Sequence, residues 1–465
     1  MNNDSQTYTA DWIFPVSQAP IAKGYITIEN QKVSALGFQA DLPEAIPVEA
    51  HAVCISPGFV NGHCHLEQSF SDRVPVERYD DTGFVNWLLA VTKISQQTQK
   101  PAEKMKRIAY GIQQLLATGT TAVNDIAFDE TSLVCLHRAG LKGVVSLEYF
   151  HPASQPINVK ATTQRYQQCR QALESLNAQN NRTPDLALGL SPHSLYNVSA
   201  EAWQAVLHDL DQRGFCPHLI HTHLSEFEAE TQYIRGVKNT SIHALHQAIL
   251  GKSFDLKTTA DSPVQLLKNA GLLKTAADWG IPVVGAHALT VSANDCVQLS
   301  QNNLSIVSCP RSNLNLHNKC FNWQQWDICG QQQGQSKQEP NGIALGTDGL
   351  LSTETLDMRD EARQAMANFG WSAKQALEAL TIRGTSALSL RSVTGNLSIG
   401  QPADFVLWDW VQDNEVLQPV HSHSYKDNPE AMLFERNLQV CRTLINGNLA
   451  YAKKDKMKAK PETKI

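Results

Sequence analysis

The sequence predicts an α/β protein, namely a (β/α)8 TIM-type barrel with a small β-sandwich domain made from both chain ends. Its 465 residues are about right for a large barrel plus an appendage. Through the middle of the chain, short apolar strands alternate with longer helical patterns, which favours βα units around a parallel sheet. Both ends of the chain instead consist of short strand-like runs separated by turns.

The middle of the chain contains eight candidate strands, which is the number that closes a (β/α) barrel. Several of them are followed at once by polar residues, such as Ser191 and His193 after the fourth. Catalytic groups in such barrels lie at the C-terminal ends of the strands, so these positions are the candidate site. The strands are predicted at 59–63, 121–125, 143–148, 186–190, 218–223, 282–287, 305–309 and 342–348.

The two ends of the chain carry strand-like segments of similar character and are expected to pair into one domain. We therefore predict a small β-sandwich domain from residues 1–56 plus 393–453, and a metal-dependent barrel from 57–392. The remaining residues, 454–465, are rich in lysine with few apolar anchors and are expected to form a flexible tail.

Charge and cysteine content limit the possible environments and partners. A formal net charge of -6 gives no electrostatic reason to expect nucleic acid or an anionic membrane as a partner. The ten cysteines are spread singly without a CxxC pair, which favours a reducing cytoplasm over a disulfide scaffold. With neither a signal pattern nor an apolar membrane span in the sequence, we expect a cytoplasmic enzyme with a small-molecule partner, assembled as a homodimer or higher homo-oligomer.

The first candidate metal-binding motif is His63-Cys64-His65, at the end of the first barrel strand. Alternate side chains of an extended strand point the same way, so both imidazoles face one side. Two such nitrogens form half of a typical metal site. An isolated HxH pair also arises without a metal, but its position at the end of a buried strand favours the metal.

Three further strand ends carry residues of related chemistry. His223 ends the fifth strand as a possible third ligand, and Glu226 follows it, placed to move protons rather than to bind metal. His287 ends the sixth strand and Asp348 the eighth. Each has a structural alternative, as a helix-start glutamate, a hydrogen-bonded core histidine or a helix-capping aspartate. Their joint occurrence at strand ends favours one metal-dependent site.

Six motifs extend this pattern along the chain: PGFVNGHCHL at 57–66, SPHSLY at 191–196, HTHLSE at 221–226, AHALT at 286–290, CPRSNL at 309–314 and LGTDG at 345–349. In this order they resemble the amidohydrolase superfamily, specifically its aminohydrolase branch. That branch includes methylthioadenosine/adenosylhomocysteine deaminases, aminofutalosine deaminases and triazine hydrolases. The resemblance runs from about residue 20 to residue 450. The chain departs from many relatives at His287-Ala288-Leu289, where they have His-Cys-Val.

The resemblance implies one divalent metal ion held by four side chains. Zinc suits such a set, and iron, manganese and nickel also occupy such sites. Binuclear members of the superfamily bridge two metals with a carboxylated lysine from strand four, but 186–195 contains no lysine, which argues for a single metal. The implied ligands are His63, His65, His223 and Asp348.

The resemblance also implies the catalytic groups. Glu226 would protonate a ring nitrogen of the substrate, His287 would orient the attacking water, and Asp348 would take the proton of that water. The expected reaction is the hydrolysis of a C–N bond other than a peptide bond, in a cyclic amidine, with release of ammonia.

The substrate is predicted less closely. A purine-like or related nitrogen heterocycle is expected, with an adenine nucleoside such as methylthioadenosine, adenosylhomocysteine or aminofutalosine favoured. The alternatives are a triazine-type chlorohydrolase, a guanine or pterin deaminase, and a metal-free scaffold relative. Trp87 could instead be a packing residue without a substrate contact. Arg311 could instead be a structural clamp. The candidate substrate contacts are His193, Glu67, Arg311, Glu148 and Trp87.

Overall fold

The predicted fold class is confirmed: eight parallel strands form a nearly closed barrel, and a separate mixed sheet is built from both chain ends. The expected tail at 454–465 lies outside the described residues, so its conformation stays a prediction. The computed structural model describes residues 5–70, 73–97, 100–152, 157–180, 186–257, 259–302, 304–332, 342–411 and 425–453.

The barrel strands follow one another in space in the same order as along the chain, each parallel to the next. The eighth is shorter than the sequence predicts, because the chain leaves the ladder after Leu345. The strands are β5 (Phe59–Cys64), β6 (Thr120–Ala127), β7 (Lys142–Tyr149), β8 (Leu186–Pro192), β9 (Ile220–Leu224), β10 (Val283–His287), β11 (Leu304–Ser308) and β12 (Ala344–Leu345).

Main-chain hydrogen bonds join the last barrel strand to the first. The amides of Thr347 and Asp348 donate to the carbonyl oxygen of His63 at 3.1 and 3.0 Å. Gly346 makes this approach possible, because a Cβ at that position would lie 2.7 Å from the backbone nitrogen of His63. Closing the barrel therefore also brings Asp348 next to His63.

The second sheet has the strand order β15-β14-β13-β4-β1-β2-β3 and so mixes strands from both chain ends. The sequence predicts strand-like segments at 25–28, 31–36, 52–55, 403–408 and 440–445, which overlap β2, β3, β4, β13 and β14, but it missed β1 and β15. Asn446 and Gly447 have φ angles of 50° and 71°, as a two-residue turn between hairpin strands requires. The strands are β1 (Gln6–Ile13), β2 (Ile21–Glu29), β3 (Lys32–Phe38), β4 (Val48–Pro57), β13 (Phe405–Trp410), β14 (Leu438–Ile445) and β15 (Asn448–Ala452).

Helices fill most of the connections between barrel strands. Among the described residues, none of the helices is both long and apolar enough to cross a membrane. The helices are α1 (Asp81–Gln97), α2 (Pro101–Ala117), α3 (Thr131–Ala139), α4 (Lys160–Asn180), α5 (Ala200–Gln212), α6 (Glu228–Ile234), α7 (Ser241–Leu250), α8 (Pro263–Asn269), α9 (Leu272–Asp278), α10 (Ala293–Gln301), α11 (Pro310–His317), α12 (Trp323–Gln332), α13 (Met358–Phe369), α14 (Ala373–Leu380) and α15 (Ile382–Ala387).

A buried ion pair connects the barrel to the second sheet. Lys142, at the start of β7, is fully buried, and its Nζ lies 2.9 Å from Asp404 Oδ2. The same ammonium group donates to the carbonyl oxygen of Val393 at 3.0 Å and to Asn446 Oδ1 at 2.7 Å. These contacts join segments more than two hundred residues apart, so they fix the second sheet to the N-terminal end of the barrel.

Replacing Lys142 with alanine is expected to lower the free energy of unfolding by about 3–5 kcal/mol, because the Asp404 carboxylate would be left buried without its counter-charge. Urea denaturation measures this change. Lys106→Ala is the matched control, since Lys106 pairs with Glu103 at 3.1 Å on the surface, and it is expected to cost at most about 1 kcal/mol. Equal stabilities for the two variants would contradict this role of Lys142.

Candidate active site

Four side chains expected to bind metal meet at the C-terminal ends of the barrel strands. His63 is the penultimate residue of β5 with His65 just beyond the strand, His223 lies in β9 and Asp348 follows β12. Asp348 Oδ1 lies 3.6 Å from Nε2 of both His63 and His65. Nε2 of His65 lies 3.3 Å from Nε2 of His223. All four side chains are buried, so donor atoms from three separate parts of the chain face one point.

This set of donors fits a divalent metal ion. Tetrahedral coordination with bonds of roughly 2.0–2.1 Å holds its donor atoms roughly 3.3–3.4 Å apart. This is close to the 3.3 Å between His65 and His223 and to the 3.6 Å from Asp348 to His63 and to His65. Both ring nitrogens of His63 are buried and have no hydrogen-bond partner. A metal ion would satisfy one of them, and three imidazoles with one carboxylate suit zinc and its first-row neighbours.

Burial keeps the imidazoles in the neutral form that metal binding requires. It lowers the pKa of His63, and with the surrounding imidazoles it brings the pKa of His65 well below its usual range and that of His223 to about 4. His223 also donates from Nδ1 to the carbonyl oxygen of His193 at 2.9 Å. That bond leaves the lone pair on Nε2, the nitrogen that faces the other ligands.

Asp348 is ionised and held in one orientation. Burial alone would raise the pKa of this carboxyl, but the nearby histidines, above all His63, hold it well below its usual range. The hydroxyl groups of Ser312 and Ser352 donate to Asp348 Oδ2 at 2.7 and 2.8 Å. Oδ1 is therefore the oxygen that faces the imidazoles.

Removing one of these hydroxyl groups tests whether they position a ligand. Ser352→Ala is expected to weaken zinc binding by about tenfold to a hundredfold, as is typical when a partner of a metal ligand is lost. Competition with a chelator measures the affinity. Thr353→Ala is the control, because the hydroxyl of this neighbour donates only to the main-chain carbonyls of Gly349 and Thr355. Equal zinc affinities in the two variants would contradict this role.

Glu226 and His287 lie beside the four ligands. Glu226 Oε1 lies 3.7 Å from His287 Nε2 and accepts a hydrogen bond from His317 Nε2 at 3.3 Å. Burial alone would raise the pKa of Glu226, but these two histidines lower it to about 2, so the side chain is ionised. His287 donates from Nδ1 to Asn313 Oδ1 at 2.9 Å. Since an amide oxygen only accepts, Nδ1 is the donor in this bond, and Nε2 of His287 faces Glu226.

The sequence analysis missed His317, which is the last residue of α11. Asn313 and His317 are four residues apart and so lie on one face of that helix. Asn313 contacts His287, and His317 contacts Glu226. This pair, one helical turn apart after the seventh strand, is the signal from which His317 could have been identified.

Four of the twelve described non-glycine residues with positive φ angles lie at the same strand ends. Ser225, His287, Ala288 and Asp348 have positive φ angles of 50°, 67°, 49° and 60°. Such conformations cost on the order of 1–3 kcal/mol each and cluster at functional sites. The strain supports a functional interpretation of this end of the barrel.

Two of the expected substrate contacts lie at this site. The ring centroid of His193 is 4.7 Å from that of His223, and a carboxylate oxygen of Glu148 lies within 4.8 Å of nitrogens of both rings. Glu148 Oε1 is buried without a hydrogen-bond partner. Burial, reinforced by Glu67, raises the pKa of Glu148 to about 8, so at neutral pH this carboxyl group is mostly protonated and can donate a hydrogen bond.

Glu67 is close to this pair but already has partners. Its Oε1 lies 2.9 Å from Lys104 Nζ and accepts a hydrogen bond from the amide of Phe128 at 3.1 Å. Glu67 therefore acts on Glu148 through its charge, while one of its own oxygens is occupied.

The side chains of Arg311 and Trp87 are engaged elsewhere. The Arg311 guanidinium lies 2.8 Å from Glu354 Oε2 and donates to the carbonyl oxygen of Thr355 at 3.2 Å. Trp87 is buried on α1 and donates from its indole nitrogen to the carbonyl oxygen of Val74 at 3.0 Å. These contacts favour the alternatives of a structural clamp for Arg311 and simple packing for Trp87.

The chain is similar to known proteins over most of its length. A family model described as "Amidohydrolase family" matches residues 54–450. The curated 5'-deoxyadenosine deaminase of Methanobrevibacter smithii is 24% identical over 417 residues, covering 85% of this chain and 81% of that protein. The 5-methylthioadenosine/S-adenosylhomocysteine deaminase of Bacillus cereus is 24% identical over 404 residues, covering 84% of this chain and 81% of that protein.

Among solved structures, the aminofutalosine deaminase of Helicobacter pylori in complex with methylthio-coformycin is similar, with a TM-score of 0.75 and 19% identity. The match covers 96% of this chain and 99% of that one. At 19% identity, this similarity shows that the two proteins share a fold.

Proposed function

The chain belongs to the amidohydrolase family, as a hydrolase acting on C–N bonds other than peptide bonds, and on that premise we propose that it is a metal-dependent deaminase of adenine nucleosides. One observation carries the proposal. The donor atoms of His63, His65 and the ionised Asp348 lie within 4.8 Å of one another, His223 lies 3.3 Å from His65, and the ionised Glu226 lies beside this group. Hydrolytic deamination needs a metal ion that activates water and an adjacent general acid–base that transfers protons.

The choice of an adenine nucleoside is supported by the curated relatives. By their names, they act on 5'-deoxyadenosine and on 5-methylthioadenosine or S-adenosylhomocysteine. Each match spans more than four fifths of both proteins, so the similarity extends over most of the chain. A neutral adenine nucleoside with a modified 5′ position is therefore the first substrate class to test.

His63, His65, His223 and Asp348 would hold one metal ion, zinc in the first instance. When bound, it supplies Lewis acidity that makes a water molecule nucleophilic near neutral pH. The two serine hydroxyls on Asp348 Oδ2 keep Oδ1 directed toward this position.

The side chains of the protein transfer the protons during hydrolysis. Because Glu226 is ionised, it first accepts a proton from the attacking water and then delivers it from Oε1 to the ring nitrogen beside the attacked carbon. The hydrogen bond from His317 fixes the position of that oxygen. His287 orients the attacking water through Nε2. Asp348 takes up the second proton of that water and passes it to the leaving amine, which departs as ammonia.

Ammonia release by the zinc-loaded protein tests the proposal. The panel comprises 5'-deoxyadenosine, 5'-methylthioadenosine, S-adenosylhomocysteine, aminofutalosine, guanine and a chlorinated aminotriazine, the last also assayed for chloride. We expect ammonia from at least one adenine nucleoside, with kcat/KM at least about tenfold above that for guanine. Ammonia from guanine alone, or chloride from the triazine alone, would overturn the proposed substrate class in favour of that alternative.

A further inference from the structure

A series of near-parallel rings runs from the expected metal ligands outward. The ring centroids of His65 and His223 are 5.4 Å apart, with an interplanar angle of 18°. His223 is followed by His193 at 4.7 Å and 30°, and His193 by Phe150 at 4.8 Å and 32°. Phe128 completes the series, 6.0 Å from Phe150 at 24°. The stack thus begins at the ligands and ends in two phenylalanines.

These last rings lie on the catalytic side of the barrel. Phe128 directly follows β6 and Phe150 directly follows β7, so both stand at C-terminal strand ends. Phe150 is 47% exposed, although burying an aromatic side chain stabilises a fold. An exposed aromatic ring that adjoins an active site is a surface available to a ligand.

Phe150 is held firmly in this exposed position. The residues on either side of it are both bonded to the segment after β8. The carbonyl oxygen of Tyr149 accepts from the amide of His193 at 3.2 Å, and the amide of His151 donates to the carbonyl oxygen of Asn197 at 2.8 Å. Anchoring the main chain around Phe150 limits the conformational entropy that is lost when a ligand binds to its ring, which favours a role in recognition.

The charges around these rings disfavour an anionic ligand. Lys104 Nζ lies 2.9 Å from Glu67 and 2.7 Å from Asp129, so its charge is already balanced. Arg165 donates to two main-chain carbonyls at 3.1 Å each. Beside them, Glu148 presents a buried oxygen without a partner. A phosphate or carboxylate would find the donor groups of these two cations already occupied.

We propose that Phe150, backed by Phe128, is the platform on which the part of the substrate remote from the reacting carbon stacks, and that the substrate is an uncharged heterocycle with an apolar substituent there. Glu148 supplies the polar contact next to this platform. The inference deepens the proposed function and rests on it for the heterocycle. It ranks a nucleoside with an apolar 5′ group above one with a 5′-phosphate.

Calorimetric binding of 5'-methylthioinosine tests the platform without requiring turnover, because this compound has no amino group to lose. Phe150→Ala is expected to bind it about tenfold more weakly than the wild type, as loss of about 1.4 kcal/mol of stacking would produce. Phe150→Tyr keeps the ring and should bind within about twofold of the wild type. Phe38→Ala, which removes a ring that is 57% exposed on β3, is the matched control and should leave affinity unchanged.

Inosine 5'-monophosphate tests the charge preference, and we expect it to bind at least about tenfold more weakly than 5'-methylthioinosine. Equal affinities of wild type and Phe150→Ala for the methylthio compound would overturn the platform. The platform would also be overturned if the wild type did not bind 5'-methylthioinosine, or if it bound inosine 5'-monophosphate more tightly. Binding as expected without ammonia release from any nucleoside would instead contradict the proposed reaction while leaving the platform standing.

Discussion

Replacing Glu226 with glutamine is expected to lower kcat for ammonia release by about a hundredfold to ten-thousandfold, the usual contribution of a general acid–base. Glutamine has nearly the same shape, but it cannot accept a proton from water and deliver it to a ring nitrogen. The bound metal should stay, because Glu226 is not one of the four converging ligands. Steady-state assays with parallel measurement of zinc content test both parts.

Glu228→Gln is the matched control for this variant. Glu228 lies two residues further on, at the start of α6, and is only partly buried. We expect its turnover to be within about twofold of the wild type, since it lies outside the proton path. A metal-loaded Glu226→Gln protein that turns over at the wild-type rate would remove Glu226 from the mechanism.

The second large effect is expected from the ligands themselves. His63→Ala should lose the metal and with it all detectable ammonia release, since three side chains would remain where four converge. Asp348→Asn serves as a second variant because it conserves volume and tests the same site without a cavity in the core. Both should purify with far less than one zinc per chain, as measured by elemental analysis.

Thermal stability gives an independent measure of the same loss. Zinc at a hundred times its Kd should stabilise the wild type by about 2.7 kcal/mol, and neither variant should respond in this way. His51→Ala is the control, because His51 is exposed on β4, and it should keep both metal and response. A stoichiometric zinc content in His63→Ala would exclude His63 from the ligand set.

The sequence predicted the barrel well because its strands are short apolar runs that end in polar residues. It missed β1, whose segment Gln6–Ile13 contains Thr7 and Thr9 among its buried positions. Thr7 is buried because its hydroxyl bonds to that of Thr27 across the sheet, at 2.9 Å. Because this hydrogen-bond partner lies in another strand, the local sequence does not show it. The polar residues of Gln6–Ile13 therefore suggest a solvent-exposed segment when they are read alone.

The same limit applies at the site. The ligands and Glu226 lie in motifs of consecutive residues, and so the sequence could identify them. His317, by contrast, contacts a carboxylate ninety-one residues away. Arg311 was a candidate substrate contact on its position alone, but its partner Glu354 comes forty-three residues later in the sequence. Roles that depend on distant partners become visible only when the chain is folded.

The most direct test of the account is a metal titration of the metal-free protein, with ammonia release followed on the adenine nucleoside that reacts fastest. We predict that activity is absent without metal and rises in proportion to added zinc until one ion is bound per chain. That result would show that one metal ion per chain, bound by these four side chains, is required for the reaction. Ammonia release by the metal-free protein, or silence toward every adenine nucleoside with one zinc per chain bound, would contradict it.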